Sequence, residues 1–468
     1  MSLTAKTRHV HFVGIGGIGM SGIAELLLKI GHRVSGSDSA ESASTQRLKS
    51  LGAVVQLGHS DKIIESQKPD VLVYSTAVRI LENPETICAR KMGIPLIRRA
   101  EMLAELMRLK RGIAIAGSHG KTTTTGLVSL ILKESGLDPT IVIGGRFDAI
   151  GSNAAWGGGE WLVAEADESD GSFLRLNPEL AVVTNIDREH LDHYETFEAG
   201  QRAFGEFLDH LPFYGRGILC ADCSVLRKVA SDIQRSFIWY GFEKERAPDF
   251  LLKIVQEGAE SDFEIYRKVD SYSRKLCSIH LKVPGRHNML NATAALLCAL
   301  EIGVELSVGL AALTKFQGVE RRFERKGSFR GHPIFEDYAH HPTEIVATLQ
   351  AATAAFPNVK PIVIFQPHRF SRTRDQWQEF ATCFKGAGEV WALPIYAASE
   401  IREKWVEELD GAKFAGNVST GAAISFANHK ELVAHALKNV ESLKSGAPIL
   451  VLGAGDVAKV IPLLLASP

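Results

Sequence analysis

The segment Gly117-Ser118-His119-Gly120-Lys121-Thr122-Thr123 sets two glycines, a lysine and three hydroxyls close together. Its freed backbone N–H groups can cradle phosphate, Lys121 can reach a β- or γ-phosphate, and the Thr122 hydroxyl can ligate Mg²⁺. The longer Walker spacing needs a glycine where Ile115 stands, so this is a shorter G-x-x-G-K-T variant. Val163-Ala164-Glu165-Ala166-Asp167-Glu168-Ser169-Asp170 follows an apolar run. A carboxylate there suits Mg²⁺, and Glu165 is favoured over the alternative of a solvated acidic turn.

A second glycine loop lies upstream. Gly14-Ile15-Gly16-Gly17-Ile18-Gly19 fits G-x-G-x-x-G, with Asp38 about 20 residues on. The pattern recognises a diphosphate at a helix N-terminus, of a dinucleotide or of another ligand; a ligand-free packing turn stays open. His190, within Thr184-Asn185-Ile186-Asp187-Arg188-Glu189-His190, is either structural or a metal ligand. Imidazole is softer than Mg²⁺ prefers. Pro284-Gly285-Arg286-His287-Asn288-Met289-Leu290-Asn291 can read a base or simply cap a helix. Near the C-terminus, Glu336–Glu344 contains Asp337, Tyr338 and His340, and Gln366–Arg374 gathers His368, Arg369, Arg372 and Arg374. Clustered arginines suit phosphate or carboxylate, with a solvated basic loop as the alternative.

These loops need elements to hold them. Strands are expected at Val10–Val13, Arg33–Ser37 and Val71–Ser75, with helices at Met20–Ile30, Thr45–Leu51 and Arg98–Arg108. A second series has strands Ile113–Ala116, Trp161–Glu165 and Ala181–Thr184 and helices Thr122–Ser135 and Tyr194–Leu211. Residues 245–282 alternate and carry many charges, as a peripheral antiparallel patch would. A helix follows the loop that opens at Gly285. A third series has strands Ile334–Tyr338, Ile362–Gln366 and Ile449–Leu452. Strand–helix alternation of this kind predicts parallel βαβ units. The fold class is α/β with three domains: Rossmann-like over 1–108, P-loop-type ATPase over 109–320 and Rossmann-like over 321–468.

The chain has 468 residues, enough for two to four domains. Lys plus Arg total 53 and Asp plus Glu 54, so no net charge draws the chain to nucleic acid or an anionic membrane. No apolar run reaches spanning length, and the start lacks a signal peptide's apolar core. The six cysteines are scattered and read as free thiols in a reducing cytoplasm. Cys220-Ala-Asp-Cys223 has no second ligand pair at zinc spacing.

The ordered set GIGGIGMSG, GSHGKTTTT, EADESDGSF, TNIDREHLDHY, PGRHNMLNA, DYAHHPTE and FQPHRFSRTR resembles the Mur ligase family over essentially the whole chain. The resemblance implies a cytoplasmic, ATP- and Mg²⁺-dependent ligase of peptidoglycan precursor synthesis, a monomer or weak homodimer. It would join L-alanine to the carboxyl group of UDP-N-acetylmuramate through an acyl phosphate. It implies that Gly16, Gly17, Ile18, Gly19 and Met20 line the sugar nucleotide's diphosphate, with Asp38, His59 and Ser75 in the same pocket. Lys121 would hold ATP phosphates; Thr122, Glu165 and His190 would serve Mg²⁺; His287 and Asn291 would contact adenine and Asp337 the ribose. Tyr338, His340, Arg369 and Arg372 would surround the reacting carboxyl and the alanine, the domains closing to exclude water. No Lys lies between Lys133 and Lys228, so the carbamylated lysine of other members is absent. Two readings compete: a muropeptide-recycling ligase that attaches a tripeptide, and an NAD-dependent oxidoreductase. The first usually lacks PHRFSRT; the second leaves GSHGKT unexplained.

Overall fold

The computed structural model describes Leu3 and residues 6–75, 78–147, 152–270, 272–398, 400, 410–419, 422–440 and 443–467. Its first sheet has five parallel strands, β1 (His9–Val13), β2 (Arg33–Asp38), β3 (Val54–Leu57), β4 (Val71–Tyr74) and β5 (Leu96–Arg98). Their order is β3-β2-β1-β4-β5. Parallel strands need crossovers, and the helices Ile18–Lys29, Ala43–Ser50, Asp61–Gln67 and Pro84–Lys91 supply them. β3 escapes sequence pattern because its residues are exposed or half-buried without alternation.

The central sheet is built from β6 (Arg111–Ala116), β7 (Thr140–Phe147), β8 (Ser152–Ala155), β9 (Trp161–Glu165), β10 (Leu180–Val183), β11 (Arg216–Cys220), β12 (Ser236–Gly241), β13 (Phe250–Glu257), β14 (Ser261–Val269) and β15 (Tyr272–Leu281). The order is β15-β14-β13-β12-β11-β10-β6-β9-β7-β8. β6, β9 and β10 are parallel neighbours, so their carboxyl ends share one edge. The single helix expected over Tyr194–Leu211 is two, Leu191–Tyr194 and Phe197–Asp209. Glu195 takes φ +64 and Thr196 caps the new helix by accepting from the Ala199 N–H at 3.2 Å, which ends one turn and starts another.

The third sheet holds β16 (Glu324–Phe329), β17 (His332–Asp337), β18 (Ile362–Phe365), β19 (Glu389–Ala392), β20 (Ala423–Ser425) and β21 (Ile449–Leu452), in the order β16-β17-β21-β18-β19-β20. Only β16 is antiparallel to its neighbour; β17, β21, β18, β19 and β20 pair in parallel.

By its internal packing the chain forms two compact units. The first comprises Met1–Leu252, Ile265–Cys277 and Leu290–Leu313, and so holds the first sheet and most of the central one. Its core runs from Phe12 and Leu27 through Met102 to Ala114, Phe173 and Phe207. Phe173 packs on Phe204 and Phe207 at 5.2 and 5.1 Å; each such fully buried ring stabilises the fold by about 1.5–3 kcal/mol. The second unit comprises Lys253–Glu264, Ser278–Met289 and Thr314–Pro468. It buries both faces of its sheet: Trp391, Leu432 and Val460 lie on one and Phe365, Phe380 and Phe414 on the other. Among the described residues no helix is long and apolar enough to cross a membrane.

Candidate active site

β6 ends at Ala116 and the helix Lys121–Glu134 starts five residues later, so the loop between them is short and tight. Gly117 has φ +126, and a Cβ there would lie 2.1 Å from Thr184 Oγ1. Gly120 has φ +84, and a Cβ there would lie 2.6 Å from Asn291 Oδ1. No other residue fits either position without displacing these neighbours. The segment after β10 clamps the loop from its other side. Ser118 N–H donates to Asn185 O at 3.1 Å, His119 N–H to Asn185 Oδ1 at 2.9 Å, and Asp187 N–H to Ser118 Oγ at 2.8 Å. Asn291 therefore meets the phosphate loop itself, and Thr123 is buried one residue beyond Thr122.

Lys121 Nζ donates to Gly117 O at 2.7 Å, Ser118 O at 3.1 Å and Glu168 Oε1 at 2.9 Å. Burial alone would lower its pKa. The charges of Glu168, Asp167 and Glu165 and the Glu168 hydrogen bond outweigh that and raise it, so the side chain is an ammonium. Glu168 Oε2 also lies 2.9 Å from Nζ, so both carboxylate oxygens pair with the ammonium. Thr122 Oγ1 lies 3.1 Å from both Glu165 oxygens, and Glu165 Oε2 accepts from Gly144 N–H at 2.8 Å. His190 Nε2 lies 3.4 Å from Glu168 and 3.8 Å from Glu189. One ligand atom each from Glu168, Glu189 and His190 lies within 4.8 Å of the others, close enough to share a cation. Burial would lower the His190 pKa, but the Glu168 hydrogen bond and both carboxylate charges raise it. His190 also takes φ +55, uncommon for a non-glycine residue and maintained only where surrounding structure demands it.

At the edge of the first sheet, Gly14 and Ile15 N–H donate to Ser37 O at 2.8 and 3.0 Å, and Gly16 N–H to Asp38 Oδ2 at 2.8 Å. Asp38 thus shapes the glycine loop from beneath. Gly17 caps the following helix with no side-chain acceptor, which leaves amides for an anion. Met20 is buried, and its N–H is already bonded to Gly17 O at 3.0 Å. The Ile18 side chain lies outside the described residues. His59 and Ser75 follow β3 and β4 at the same sheet edge, and His59 Nδ1 lies 2.8 Å from Ser37 Oγ. Arg99 was not singled out from sequence. It runs beside Gly19, where a Cβ would come within 3.0 Å of its Cδ, and donates to Asp167 at 3.4 Å.

The second unit carries a site of opposite sign. Arg372 Nη1 lies 3.3 Å from His368 Nδ1 and from His368 O. Burial, then the charges of His340, Arg372, Arg369 and Arg321, push His368 down to about 3, so its ring is neutral and accepts. The His340 and His368 rings lie 5.8 Å apart, and His368 stacks on Tyr396 at 5.6 Å. Arg369 has φ +70 and is held by its N–H to Tyr396 O at 2.8 Å. The helix after it is capped by Glu400, which accepts from Phe370 N–H at 2.6 Å. Tyr338 is covered by the guanidinium groups of Arg321 and Arg322, 4.8 and 5.3 Å from its ring centre.

In the same unit Asp337 accepts from Phe323 N–H at 2.9 Å and Ala339 N–H at 2.8 Å. Burial nevertheless pushes its carboxyl up to about 6 against the opposing charge of Arg322. His287 is pushed down to about 4 by burial and by Arg322. Both residues therefore feel one guanidinium. Glu168 and Glu189 lie inside quoted motifs but nothing in those motifs marks them above their acidic neighbours, whereas Arg99 and Arg321 join these sites only through the fold.

Three family models match in sequence order. "Mur ligase family, catalytic domain" covers residues 9–111, "Mur ligase middle domain" 115–299 and "Mur ligase, glutamate ligase domain" 321–455. The UDP-N-acetylmuramate–L-alanine ligase of Solidesulfovibrio magneticus is 46% identical over 456 residues, which cover 97% of each chain. That of Desulfatibacillum aliphaticivorans is 46% identical over 471 residues, 99% of each chain. The crystal structure of the UDP-N-acetylmuramate–alanine ligase of Thermotoga maritima superposes with a TM-score of 0.77 at 29% identity, over 98% of each chain.

Proposed function

We infer from its membership of the Mur ligase family that this chain is the ATP-dependent ligase that joins L-alanine to UDP-N-acetylmuramate in peptidoglycan synthesis. The observation that carries the chemistry is Lys121, a charged ammonium folded onto its own phosphate loop and matched by Glu168. Forming an amide from a carboxylate is uphill in water, so the carboxylate must first be activated. The muramoyl carboxylate oxygen attacks the γ-phosphorus of ATP, the bond to the β-phosphate oxygen breaks, and ADP leaves an acyl phosphate. Lys121 and the amides of Gly117–Thr123 hold the phosphates and spread their charge. The neutral amine of L-alanine then attacks the acyl carbon, and inorganic phosphate departs from the tetrahedral intermediate.

The oxygen-rich pair Thr122 and Glu165, and the group Glu168, Glu189 and His190, suit a hard divalent cation. Mg²⁺ held by these residues would neutralise developing phosphate charge. Arg369 and Arg372 hold the amino acid's carboxylate and the oxyanion. His340 Nδ1 lies 2.9 Å from Tyr338 O, an acceptor, so Nδ1 carries the hydrogen and Nε2 is the atom that takes a proton from the alanine ammonium. The sugar nucleotide is assigned to residues 1–108, ATP to 109–320 with His287, Asn291 and Asp337 at its nucleoside, and the amino acid to 321–468.

The test is ADP release with ATP, Mg²⁺ and UDP-N-acetylmuramate while the amino acid is varied. Release should require the sugar nucleotide and be highest with L-alanine. Release independent of both overturns the reading, and a tripeptide as best acceptor moves it to muropeptide recycling.

A further inference from the structure

Glu85 is fully buried in the first domain and takes no part in the reaction above. Its carboxylate is nonetheless surrounded by donors. Oε2 accepts from Ser37 Oγ at 2.7 Å and faces His11 Nε2 at 3.0 Å. Oε1 accepts from Ser60 N–H at 3.0 Å and lies 3.6 Å from His59 Nδ1. Burial would raise the carboxyl, but the hydrogen bonds of His11, Ser37 and Ser60 and the His11 charge bring it below its ordinary range.

The network continues inward from His11. His11 Nδ1 lies 2.8 Å from Ser35 Oγ, Ser35 Oγ 2.8 Å from His9 Nε2, and His9 Nδ1 3.2 Å from Gln67 O. A carbonyl closes one end of this string and a carboxylate the other, and both accept. Ser37 has a single hydroxyl hydrogen, and it donates that hydrogen to Glu85 Oε2. Its oxygen must then accept from His59 Nδ1–H at 2.8 Å. The His59 lone pair is left on Nε2.

His59 is the part of this network that reaches solvent, with its side chain 30% exposed against 0% for Glu85. It follows Gly58, whose N–H donates to Asp38 O at 2.8 Å, while Asp38 holds the Gly16 amide. Ser37 joins the two features: its carbonyl holds the amides of Gly14 and Ile15, and its hydroxyl joins Glu85 to His59.

We propose that Glu85 is a positioning residue for the sugar nucleotide: through Ser37 it fixes His59 as the Nδ1–H tautomer, whose Nε2 accepts an N–H or O–H from the uridine end. The inference rests on the reading that the first domain takes UDP-N-acetylmuramate. A fixed acceptor favours a uracil imide N–H or a ribose hydroxyl and rejects a base that presents its own lone pair at that point.

The first measurement is ¹⁵N NMR of the ligand-free full chain, with His59 assigned by comparison with His59→Gln. The wild type should show Nδ1–H. Glu85→Gln, whose carboxamide can donate as well as accept, and Ser37→Ala, which removes only the relay hydroxyl, should each mix or invert the tautomer. Both should weaken UDP-N-acetylmuramate binding about tenfold by calorimetry, with ATP affinity and saturated kcat held. N3-methyl-UDP and 2′-deoxy-UDP distinguish the two donors, and the one that loses affinity for the wild type should lose none for Ser37→Ala. An Nε2–H tautomer in the wild type overturns the proposal. So does an unchanged tautomer and affinity in both variants, or equal binding of UDP and both analogues. Failure of the wild type to bind any uridine nucleotide overturns the first-domain reading instead, and the tautomer measurement still decides the network.

Discussion

The phosphate loop after β6 and the arginine loop after β18 use the same backbone device with opposite charge. Each follows a parallel strand that is buried up to its carboxyl end and turns into a helix, so each presents polar side chains at the carboxyl edge of a sheet. Around the first, one ammonium faces Glu165, Asp167 and Glu168. Around the second, one neutral histidine faces the positive charge of Arg372, Arg369 and Arg321. Topology thus decides where chemistry can occur, and the residues brought from other strand ends decide its sign. An acid-lined loop takes polyphosphate only together with a cation. A cation-lined loop takes a carboxylate directly.

The largest expected effect breaks the acid-lined site at its ammonium. Lys121→Ala should lower kcat for ADP release by about 10³-fold or more, the scale of losing a preorganised charge donor and its placement. UDP-N-acetylmuramate affinity should stay within about twofold by calorimetry. A comparable loss of sugar-nucleotide affinity would refute the separation of the two phosphate sites. Glu168→Gln keeps the shape but removes the charge opposite Lys121. It should cut kcat about 100-fold and raise the Mg²⁺ concentration for half-maximal rate about tenfold, both read from a Mg²⁺ titration. An unchanged Mg²⁺ requirement would remove Glu168 from the cation site.

The cation-lined site should respond first in the KM for L-alanine. Arg372→Lys keeps a positive charge but loses the planar fork that grips a carboxylate. L-Alanine KM should rise about 10- to 50-fold while ATP KM is unchanged. Equal rises for ATP and alanine would indicate a folding defect, and no rise would place the amino acid elsewhere.

The two sites were unequally legible in the sequence. Glycines and lysine sit contiguously at 117–121, and a buried strand precedes them, so the phosphate loop needs no long-range partner to be recognised. His368, Arg369 and Arg372 are likewise contiguous, but Arg321 and Tyr396 reach them from distant elements. The element map has the same divide. Doubly buried strands such as Trp161–Glu165 and Ile449–Leu452 are short apolar runs and are found at their full length. The edge strands Val54–Leu57, Glu324–Phe329 and Ala423–Ser425 are largely half-buried, with no clean period, and escape notice. The Glu85 network is illegible for another reason: His9, His11, Ser35, Ser37 and Glu85 belong to no motif and are far apart in sequence, and only the fold shows them bonded together.

The smallest expected effect probes how each unit handles a buried charge. In the first, Asp167 is raised by burial but brought below its ordinary value by Lys121 and Arg99. In the second, Asp337 is pushed up to about 6. Between about 4 and 6 the folded protein holds a proton at Asp337 that the unfolded chain has released. That contribution is fully present below the unfolded value and is lost as pH rises through about 6. His287, pushed down to about 4, acts oppositely: its contribution is present above about 6.5 and is lost as pH falls toward about 4. Over the shared window the two slopes oppose. Asp337→Asn removes one of them, so acid should destabilise this variant more steeply than the wild type. The added slope is about one proton, or about 1.4 kcal/mol per pH unit. Replacing one accepting oxygen by an amide also lowers stability at every pH, but that offset leaves the slope untouched. Urea unfolding followed across the window reads the difference directly, and parallel curves for the two proteins would show that Asp337 is ionised in the fold throughout.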